Sequence, residues 1–264
     1  VANTMSSPYY RFDGVDDTID VADSAHLSFG SSSFTDATCD YNNDPTITMD
    51  STTLISTGMG VTGTGIPAGA TVSSVTNATT FELSASTTGG SVTNGTLTFN
   101  AENDTPFSIT AWINMEDATI FFIATKGTYN SDAEWILASN SQNKISFEIY
   151  DESVASTYEQ AYTTSTVTAY EGKWTHVVAT YNGVGGTSAN AGMLIYINGV
   201  SQALTLAGGG TYVAMENLAE EVRIGNYNDA SYARGSIAGL KIHNHELSAT
   251  EVKELYSGAS VPFK

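Results

Sequence analysis

Two neighbouring segments of the sequence have the composition of paired β-strands. Residues 173–181 (KWTHVVATY) and 193–200 (MLIYINGV) are rich in β-branched and aromatic residues, and a glycine-rich loop separates them. Such residues favour strands. The second segment runs into Asn198-Gly199, and this dipeptide is the strongest short signal for a tight hairpin turn. The chain is therefore expected to fold around this β-hairpin.

Further strand-like runs follow one another between the middle of the chain and this hairpin. They occupy Phe107–Ile113, Thr119–Ala124, Glu134–Leu137 and Lys144–Tyr150, at intervals of about 8–12 residues that are typical of a β-sandwich. In the first run the odd-numbered positions are apolar, so Trp112 is predicted to point away from them. Residues 151–170 are predicted to form an aromatic, polar connection.

The last part of the chain carries the signals of a helix. Ser248 is a predicted N-cap with Glu251 as its capping-box partner, and Leu247 against Val252 is a predicted hydrophobic staple. Gly258 ends the predicted helix. A Gly208–Gly210 loop is predicted before it.

Several motifs together resemble one family. They are W-x-H-V-x-x-x-Y at 174–181, Y-x-N-G-V at 196–200, F-D-G-V-D-D-x-I-D-V at 12–21, G-S-I-x-x-L-x-I at 235–242 and L-S-x-x-E-V-x-x-L-Y at 247–256. This pattern resembles the laminin-G-like jelly rolls of the concanavalin A-like sandwiches, over residues 9–35 and 105–258. The resemblance implies an all-β fold: a concanavalin A-like β-sandwich jelly roll with a small inserted all-β module and a short C-terminal helix.

The resemblance is interrupted after Leu27-Ser-Phe29, where the next strand of the family is expected to begin. We therefore predict a jelly roll of residues 1–35 plus 100–264, and an inserted module of residues 36–99. The insert is rich in Thr, Ser and Gly, and no Lys or Arg occurs between Arg11 and Lys126. Short alternating runs separated by turn signals, Asn94-Gly95 among them, predict about five strands.

Residues 58–77 and 80–84 of the insert resemble a module that recurs in bacteriophage tail and other virion proteins. The alternative is a loop that grew because loop insertions cost little entropy. The resemblance to virion proteins is the reason for placing the chain on a virion surface, with an extracellular location as the alternative.

Composition restricts the class of partner. The chain has 28 acidic and 9 basic residues, a formal net charge of −19, which disfavours nucleic acid and anionic membrane surfaces. No segment approaches the roughly 18 apolar residues that span a bilayer. The single Cys39 excludes an intramolecular disulfide, so burial, metal or oligomerisation must supply the stability. The first residues lack a signal-peptide pattern, so we expect either no signal-dependent secretion or a processed chain.

No catalytic motif is found, and the chain is predicted not to be an enzyme. Glycoside hydrolases need two carboxylates that flank the sugar. The nearest approach is Glu148 with Asp151 and Glu152, but residues 148 and 151 of one strand face opposite sides.

Acidic turns are candidate calcium sites, because calcium prefers oxygen ligands. We single out Asp13, Asp16 and Asp17, with Asp20 nearby, and Asp229 in a second oxygen-rich loop. The alternative is solvated turn carboxylates without an ion.

Histidines are predicted to be structural. His176 is expected to satisfy a buried hydrogen bond rather than to bind a ligand, and His243 and His245 are expected to be exposed at a strand end. Trp174 and Val178 share a strand face with His176, and this face is predicted to belong to the core.

Aromatic side chains stack on sugar rings, so they are the candidates for a carbohydrate-binding site. They are Tyr129, Trp135, Tyr150, Tyr158 and Tyr227. The alternative for each is ordinary packing within a sandwich.

Together these features predict a non-enzymatic phage virion structural protein, such as a head decoration, vertex or tail-fibre component, that uses its sandwich for attachment. The expected partners are other virion proteins or host-surface glycans, and a homo-oligomer is expected. The alternative is a secreted bacterial carbohydrate-binding or adhesion module. A glycoside hydrolase or lyase is the third hypothesis.

Overall fold

The computed structural model describes residues 8–30, 33–100, 104–128, 131–153 and 157–258. Strands dominate, with one α-helix, α1 (Ala249–Ser257), and three 3-10 turns within these residues. The strands are β1 (Tyr10–Asp13), β2 (Ile19–Val21), β3 (Ser33–Asn42), β4 (Thr46–Thr48), β5 (Gly60–Gly63), β6 (Val72–Asn77), β7 (Thr80–Leu83), β8 (Ser91–Asn100), β9 (Phe107–Met115), β10 (Phe121–Lys126), β11 (Trp135–Ser139), β12 (Ile145–Asp151), β13 (Thr157–Thr163), β14 (Thr175–Tyr181), β15 (Met193–Ile197), β16 (Val200–Ser201), β17 (Leu204–Gly209), β18 (Val222–Ile224), β19 (Asn226–Tyr227), β20 (Ser231–Tyr232) and β21 (Arg234–His243).

The chain divides into two compact units. The first contains residues 1–30 and 104–264, and the second contains residues 31–103. The corresponding boundaries predicted from the sequence lie at 35/36 and 99/100. In the first unit the chain leaves and returns at neighbouring points, because Thr105 N donates to Phe29 O at 2.8 Å. The Phe29 and Phe107 rings also stack there, with centroids 4.4 Å apart.

The first unit is a sandwich of two antiparallel sheets. One has six strands in the order β1-β21-β9-β14-β15-β16, and the other has seven in the order β17-β13-β12-β11-β10-β18-β2. Side chains that alternate inward from both sheets form one buried core. Phe107 and Tyr181 come from the six-stranded sheet, and Trp135 and Phe147 from the seven-stranded sheet. The all-β sandwich fold is therefore confirmed.

The hairpin of β15 and β16 follows the sequence expectation. Asn198 and Gly199 both adopt positive φ, 51° and 76°, which the tight turn requires. A side chain at Gly199 would also meet the ring of Tyr256, since its Cβ would lie 3.1 Å from Tyr256 Cδ1. Glycine is needed here for both reasons.

Helix α1 begins and ends as its residues predict. Ser248 forms a capping box with Glu251, and Gly258 adopts the left-handed conformation that ends the helix. Leu247 and Val252 belong to one buried apolar cluster, which is the predicted staple. No helix in the described part of the chain is long and apolar enough to cross a membrane.

The second unit has its own sheet and its own core. Its six strands run in the order β5-β8-β3-β4-β7-β6, and the core includes Phe81, Leu97 and Phe99. Cys39 is also buried there, and desolvation raises the pKa of its thiol to about 12.

Some local expectations were wrong. Asn94-Gly95 does not end a strand but lies inside β8, where Asn94 has a φ of 50° and the pairing with β3 is irregular; a left-handed residue inside a strand produces a bulge. Residues 25–27 form a 3-10 turn rather than leading into a strand. Residues 157–163 form β13, and Gly208 lies in β17.

Candidate functional site

The outer face of the seven-stranded sheet gathers polar and aromatic side chains. Alternation along β12 and β13 turns Phe147 and Ala161 into the core, and it turns their neighbours outward. The strand register pairs Glu148 with Gln160, and Tyr150 with Tyr158. We call this surface the Glu148 face and define it by Ser146, Glu148, Tyr150, Tyr158, Gln160 and Tyr162.

Hydrogen bonds fix the carboxylate of Glu148 at the centre of this face. Its Oε1 accepts from Ser146 Oγ at 2.8 Å and from Gln160 Nε2 at 2.6 Å, and its Oε2 accepts from the hydroxyl of Tyr150. An ionised carboxylate offers about four acceptor positions. Among the described residues these donors use three of the positions, so one position on Oε2 can accept a hydroxyl group from a ligand.

The aromatic candidates Tyr150, Tyr158 and Tyr227 come together in one apolar cluster at this face. Tyr150 is buried and Tyr158 is half-buried, with ring centroids 6.1 Å apart. Tyr227, also half-buried, stacks on Phe122 with centroids 4.9 Å apart. Tyr158 and Tyr227 thus keep part of their rings accessible, whereas the buried Tyr150 donates a hydrogen bond from its hydroxyl group to Glu148.

The other two aromatic candidates do not join this surface. Trp135 lies in β11 on the opposite side of the sheet, fully buried in the core. Its ring therefore offers no face for stacking. Tyr129 lies outside the described residues.

Glu148 and Asp151 face opposite sides of the sheet, as predicted. Asp151 is 1% exposed on the inner side. Its carboxylate accepts from Val213 N at 2.9 Å and from Ser153 Oγ at 2.5 Å. These two carboxylates cannot flank a bound sugar together.

The turn after β1 brings Asp13, Asp16 and Asp17 together at the surface. One carboxylate oxygen from each lies within 4.8 Å of the others. Two oxygens already accept turn hydrogen bonds: Asp17 Oδ2 from Asp13 N at 2.9 Å, and Asp13 Oδ1 from Val15 N at 2.8 Å. The remaining oxygens are of the type that calcium prefers.

Asp229 lies apart from this group. It occupies the turn between β19 and β20 with a φ of 48°, and its Oδ2 is 3.9 Å from Nη1 of Arg223. Asp20 accepts a hydrogen bond from Thr18 Oγ1 at 2.8 Å. The acidic turn is thus built from three of the aspartates that the sequence singled out.

His176 is buried on the outer face of the six-stranded sheet. Its ring lies 5.1 Å from the Trp112 ring and 6.1 Å from the Tyr256 ring, centroid to centroid. Burial lowers the pKa of His176 to about 4. The ring does not make the buried hydrogen bond that we predicted, since Nδ1 has no partner among the described residues; the backbone N–H of His176 instead donates to Asn198 Oδ1 at 2.9 Å.

His243 and His245 lie close together, with ring centroids 5.8 Å apart. His245 is exposed as predicted, but His243 is half-buried. Desolvation, together with the neighbouring His245, lowers the pKa of His243. The expectation of two exposed histidines was wrong for His243.

Sequence comparison identifies the family. A laminin G family model, described as the concanavalin A-like lectin/glucanases superfamily, matches residues 84–253, which is more than half of the chain. The chain belongs to this superfamily. The match includes β9 to β21, and therefore the entire Glu148 face.

Solved structures with similar folds include a pentraxin and several toxin domains. The heptameric SAP-like pentraxin of Limulus polyphemus has 13% identity and a TM-score of 0.42, over 93% of this chain and 84% of that one. The botulinum neurotoxin serotype G binding domain has 15% identity and a TM-score of 0.45, over 91% of this chain and 49% of that one.

A third similar structure is the botulinum neurotoxin serotype D ligand binding domain in complex with N-acetylneuraminic acid, with 13% identity and a TM-score of 0.42. The match covers 91% of this chain and 50% of that one. The chain thus spans about half of these two toxin domains. No curated protein matches it.

Proposed function

We propose that this superfamily member is a non-enzymatic adhesion protein that binds glycans through the Glu148 face. The observation that carries the proposal is the fixed carboxylate of Glu148, with one open acceptor position, on the same sheet face as partly accessible tyrosine rings. Lectin sites combine a few oriented polar groups with aromatic surfaces. The Glu148 face has both.

Each residue has a distinct role in this proposal. Glu148 accepts a hydrogen bond from a sugar hydroxyl, and Ser146, Tyr150 and Gln160 hold its carboxylate in place. Tyr158 and Tyr227 stack on the apolar faces of sugar rings. This arrangement binds a neutral or cationic sugar more readily than an anionic one, because Glu148 is itself an anion.

A binding role rather than hydrolysis is supported by the geometry of the acidic residues. Hydrolysis by two carboxylates requires a second acid across the sugar, and Asp151 lies on the inner side of the sheet. We therefore expect polysaccharides incubated with the protein to remain intact. Cleavage that disappears in Glu148→Gln would instead establish a hydrolase or lyase.

The binding proposal is tested on a glycan array with the whole chain. Tyr158→Ala and Glu148→Gln should each reduce binding at least tenfold, while Tyr10→Ala, which removes a tyrosine 66% exposed on β1, should leave it unchanged. Equal binding by all four proteins would refute the Glu148 face as the site.

We propose that the protein is located on a virion surface, where it is a homo-oligomeric head decoration, vertex or tail-fibre component. Its partners are other virion proteins or host-surface glycans. The support is the resemblance of residues 58–77 to virion modules. Mass spectrometry of purified phage particles tests this location; a chain found only in culture supernatant of a bacterium would favour the alternative, a secreted adhesion module with the same binding face.

A structural calcium ion at Asp13, Asp16 and Asp17 completes the proposal. The support is the close approach of their oxygens and the preference of calcium for such ligands. Calcium should raise the melting temperature of the wild-type protein, and Asp16→Asn should abolish the increase. Asp40→Asn, a change in the second unit, should retain it.

A further inference from the structure

Lys126, at the end of β10, is a fully buried lysine between two carboxyl groups. Its Nζ lies 2.5 Å from Glu134 Oε1 and 2.9 Å from Asp23 Oδ1. The side chains of Lys126 and Glu134 have no exposed surface, and that of Asp23 is 27% exposed. Nζ also donates to Leu218 O at 3.1 Å. The Lys126 amine is therefore held against the fully buried carboxyl group of Glu134 and against the partly exposed carboxyl group of Asp23.

Burial favours the uncharged forms of such groups. Removing the Lys126 ammonium and the Glu134 carboxylate from water is costly even when they are paired. Desolvation raises the pKa of Glu134 to about 7 although Lys126 lies beside it, and Glu134 Oε2 is buried with no hydrogen-bond partner among the described residues. Glu134 can thus hold a proton at this position.

We propose that Nζ of Lys126 and Cγ of Asp23 become joined by an amide bond, with Glu134 transferring the protons. Lys126 first gives one proton to Glu134 and becomes a neutral nucleophile. Its nitrogen then attacks Cγ of Asp23, and the nitrogen–carbon bond forms while one carbon–oxygen bond breaks. The two protons lost by the ammonium nitrogen leave with the carboxylate oxygen as one water molecule. No oxidant or cofactor takes part.

The topology indicates what this bond would stabilise. Asp23 follows the short edge strand β2, and β18 separates β2 from β10 in the sheet. The bond would tie the edge of the sheet covalently to its interior. It would also close a loop that contains the entire second unit, residues 31–103, and thereby restrict the unfolded chain. A chain with one cysteine has no disulfide for this purpose.

The intact mass of the purified, denatured full chain tests the proposal. We expect a mass lower than that of the sequence by one water molecule. A mass equal to that of the sequence would overturn the proposal and leave Lys126 as an ordinary buried ion pair.

Trypsin provides an independent readout, because Lys126 is the only cleavage site between Arg11 and Lys144. An amide at Lys126 should block cleavage there and yield one fragment of residues 12–144. Cyanogen bromide cleavage of this fragment at Met49, Met59 and Met115 should then leave the parts that contain Asp23 (12–49) and Lys126 (116–144) joined. Separate parts would contradict the bond.

Variants identify the reacting atoms. Asp23→Ala removes the electrophile but retains the buried pair of Lys126 and Glu134, so the full sequence mass should return. Asp23→Asn should lose one ammonia molecule instead of one water molecule. Asp20→Ala, the matched control in β2 three residues before Asp23, should keep the mass deficit. Glu134→Gln should abolish it, and if this variant does not fold, the two Asp23 variants still decide the question.

Discussion

The two sheets of the sandwich present opposite kinds of outer face. On the six-stranded sheet, Val178 and Tyr196 are buried together with Leu247 and Val252, because helix α1 and the segment before it cover this face. On the seven-stranded sheet, the Glu148 face carries a hydrogen-bonded carboxylate and partly accessible tyrosine rings. Side chains alternate between the two faces in both sheets. The outward side chains of the six-stranded sheet pack under the helix, whereas those of the seven-stranded sheet include polar groups that a ligand can reach.

This difference assigns different roles to the most conspicuous residues. Trp112 and His176 belong to the covered face, where they pack against Tyr256. Glu148 and Gln160 draw less notice in the sequence, yet they lie on the face that no helix covers in the described part of the chain. Cover by another element, rather than the presence of tryptophan or histidine, thus separates the structural face from the candidate binding face.

The largest effect is expected on the covered face, from Leu247→Ala. Leu247 is 4% exposed and packs with Val178, Tyr196 and Val252. Truncating a buried leucine removes apolar contacts and leaves a cavity, so the free energy of unfolding should fall by about 2–5 kcal/mol. Urea denaturation measures this change.

The matched change on the other face is Tyr158→Ala. Tyr158 is only half-buried. Tyr158→Ala should therefore lower the free energy of unfolding by less than Leu247→Ala does, by about 1–2 kcal/mol. An equal loss of stability from the two variants would mean that the Glu148 face is packed as tightly as the covered face.

The second prediction concerns pH. Burial lowers the pKa of His176 to about 4 in the folded protein, against about 6.5 in the unfolded chain. Between these values the unfolded chain binds a proton that the folded protein does not bind. The contribution of His176 is therefore fully present above about pH 6.5 and is lost as the pH falls toward 4, by an amount on the order of 3 kcal/mol.

Unfolding free energies of wild type and His176→Gln, measured from pH 7 to pH 4, test this dependence. Glu134 has the opposite effect on the pH dependence of stability, because its pKa is raised to about 7. Its contribution to the free energy of unfolding is lost as the pH rises toward 7. Both proteins contain Glu134, so the difference between their pH profiles isolates His176. A constant difference across this range would show that the pKa of His176 is the same in the folded and the unfolded protein.

The sequence predicted the elements whose signals are local. The Asn198-Gly199 turn and the capping box of Ser248 and Glu251 depend on a few adjacent residues, and the structure contains both. The odd-numbered apolar positions of β9 also face the core, as expected. In each case the residues that carry the signal also make the contact.

Strand β13 was missed because its inward positions are partly polar. Thr157, Glu159 and Thr163 face inward beside Ala161, so the usual apolar alternation is hidden. Strand β17 was missed because it contains glycine, which is uncommon in strands. Glycine is present at position 208 because of the neighbouring strand β13, since a Cβ at Gly208 would lie 2.7 Å from Glu159 Oε1. These two strands are understood only as a pair, and β13 supplies Gln160 to the Glu148 face.

The third prediction tests the hydrogen bonds of the Glu148 face with the substitution Glu148→Ala. This change removes the acceptor that Ser146, Tyr150 and Gln160 share, and the loss of these hydrogen bonds at a half-buried site should cost about 1–2 kcal/mol. Glu148→Gln retains one acceptor oxygen and should recover part of that loss. Thermal denaturation of the two variants measures the difference. Identical stabilities would mean that the donors turn to solvent without cost.

The smallest effect is expected at the cap of the covering helix. Ser248 Oγ accepts from Glu251 N at 3.3 Å, and Ser248 N donates to Glu251 Oε2 at 2.8 Å. Ser248→Ala removes the first of these bonds and should lower the free energy of unfolding by about 1 kcal/mol. Ser257→Ala, in the last turn of the same helix, is the matched control and should be close to neutral, because alanine favours helix. If Ser248→Ala were as harmless as the control, the cover of the six-stranded sheet would depend on the apolar contacts of Leu247 and Val252 alone.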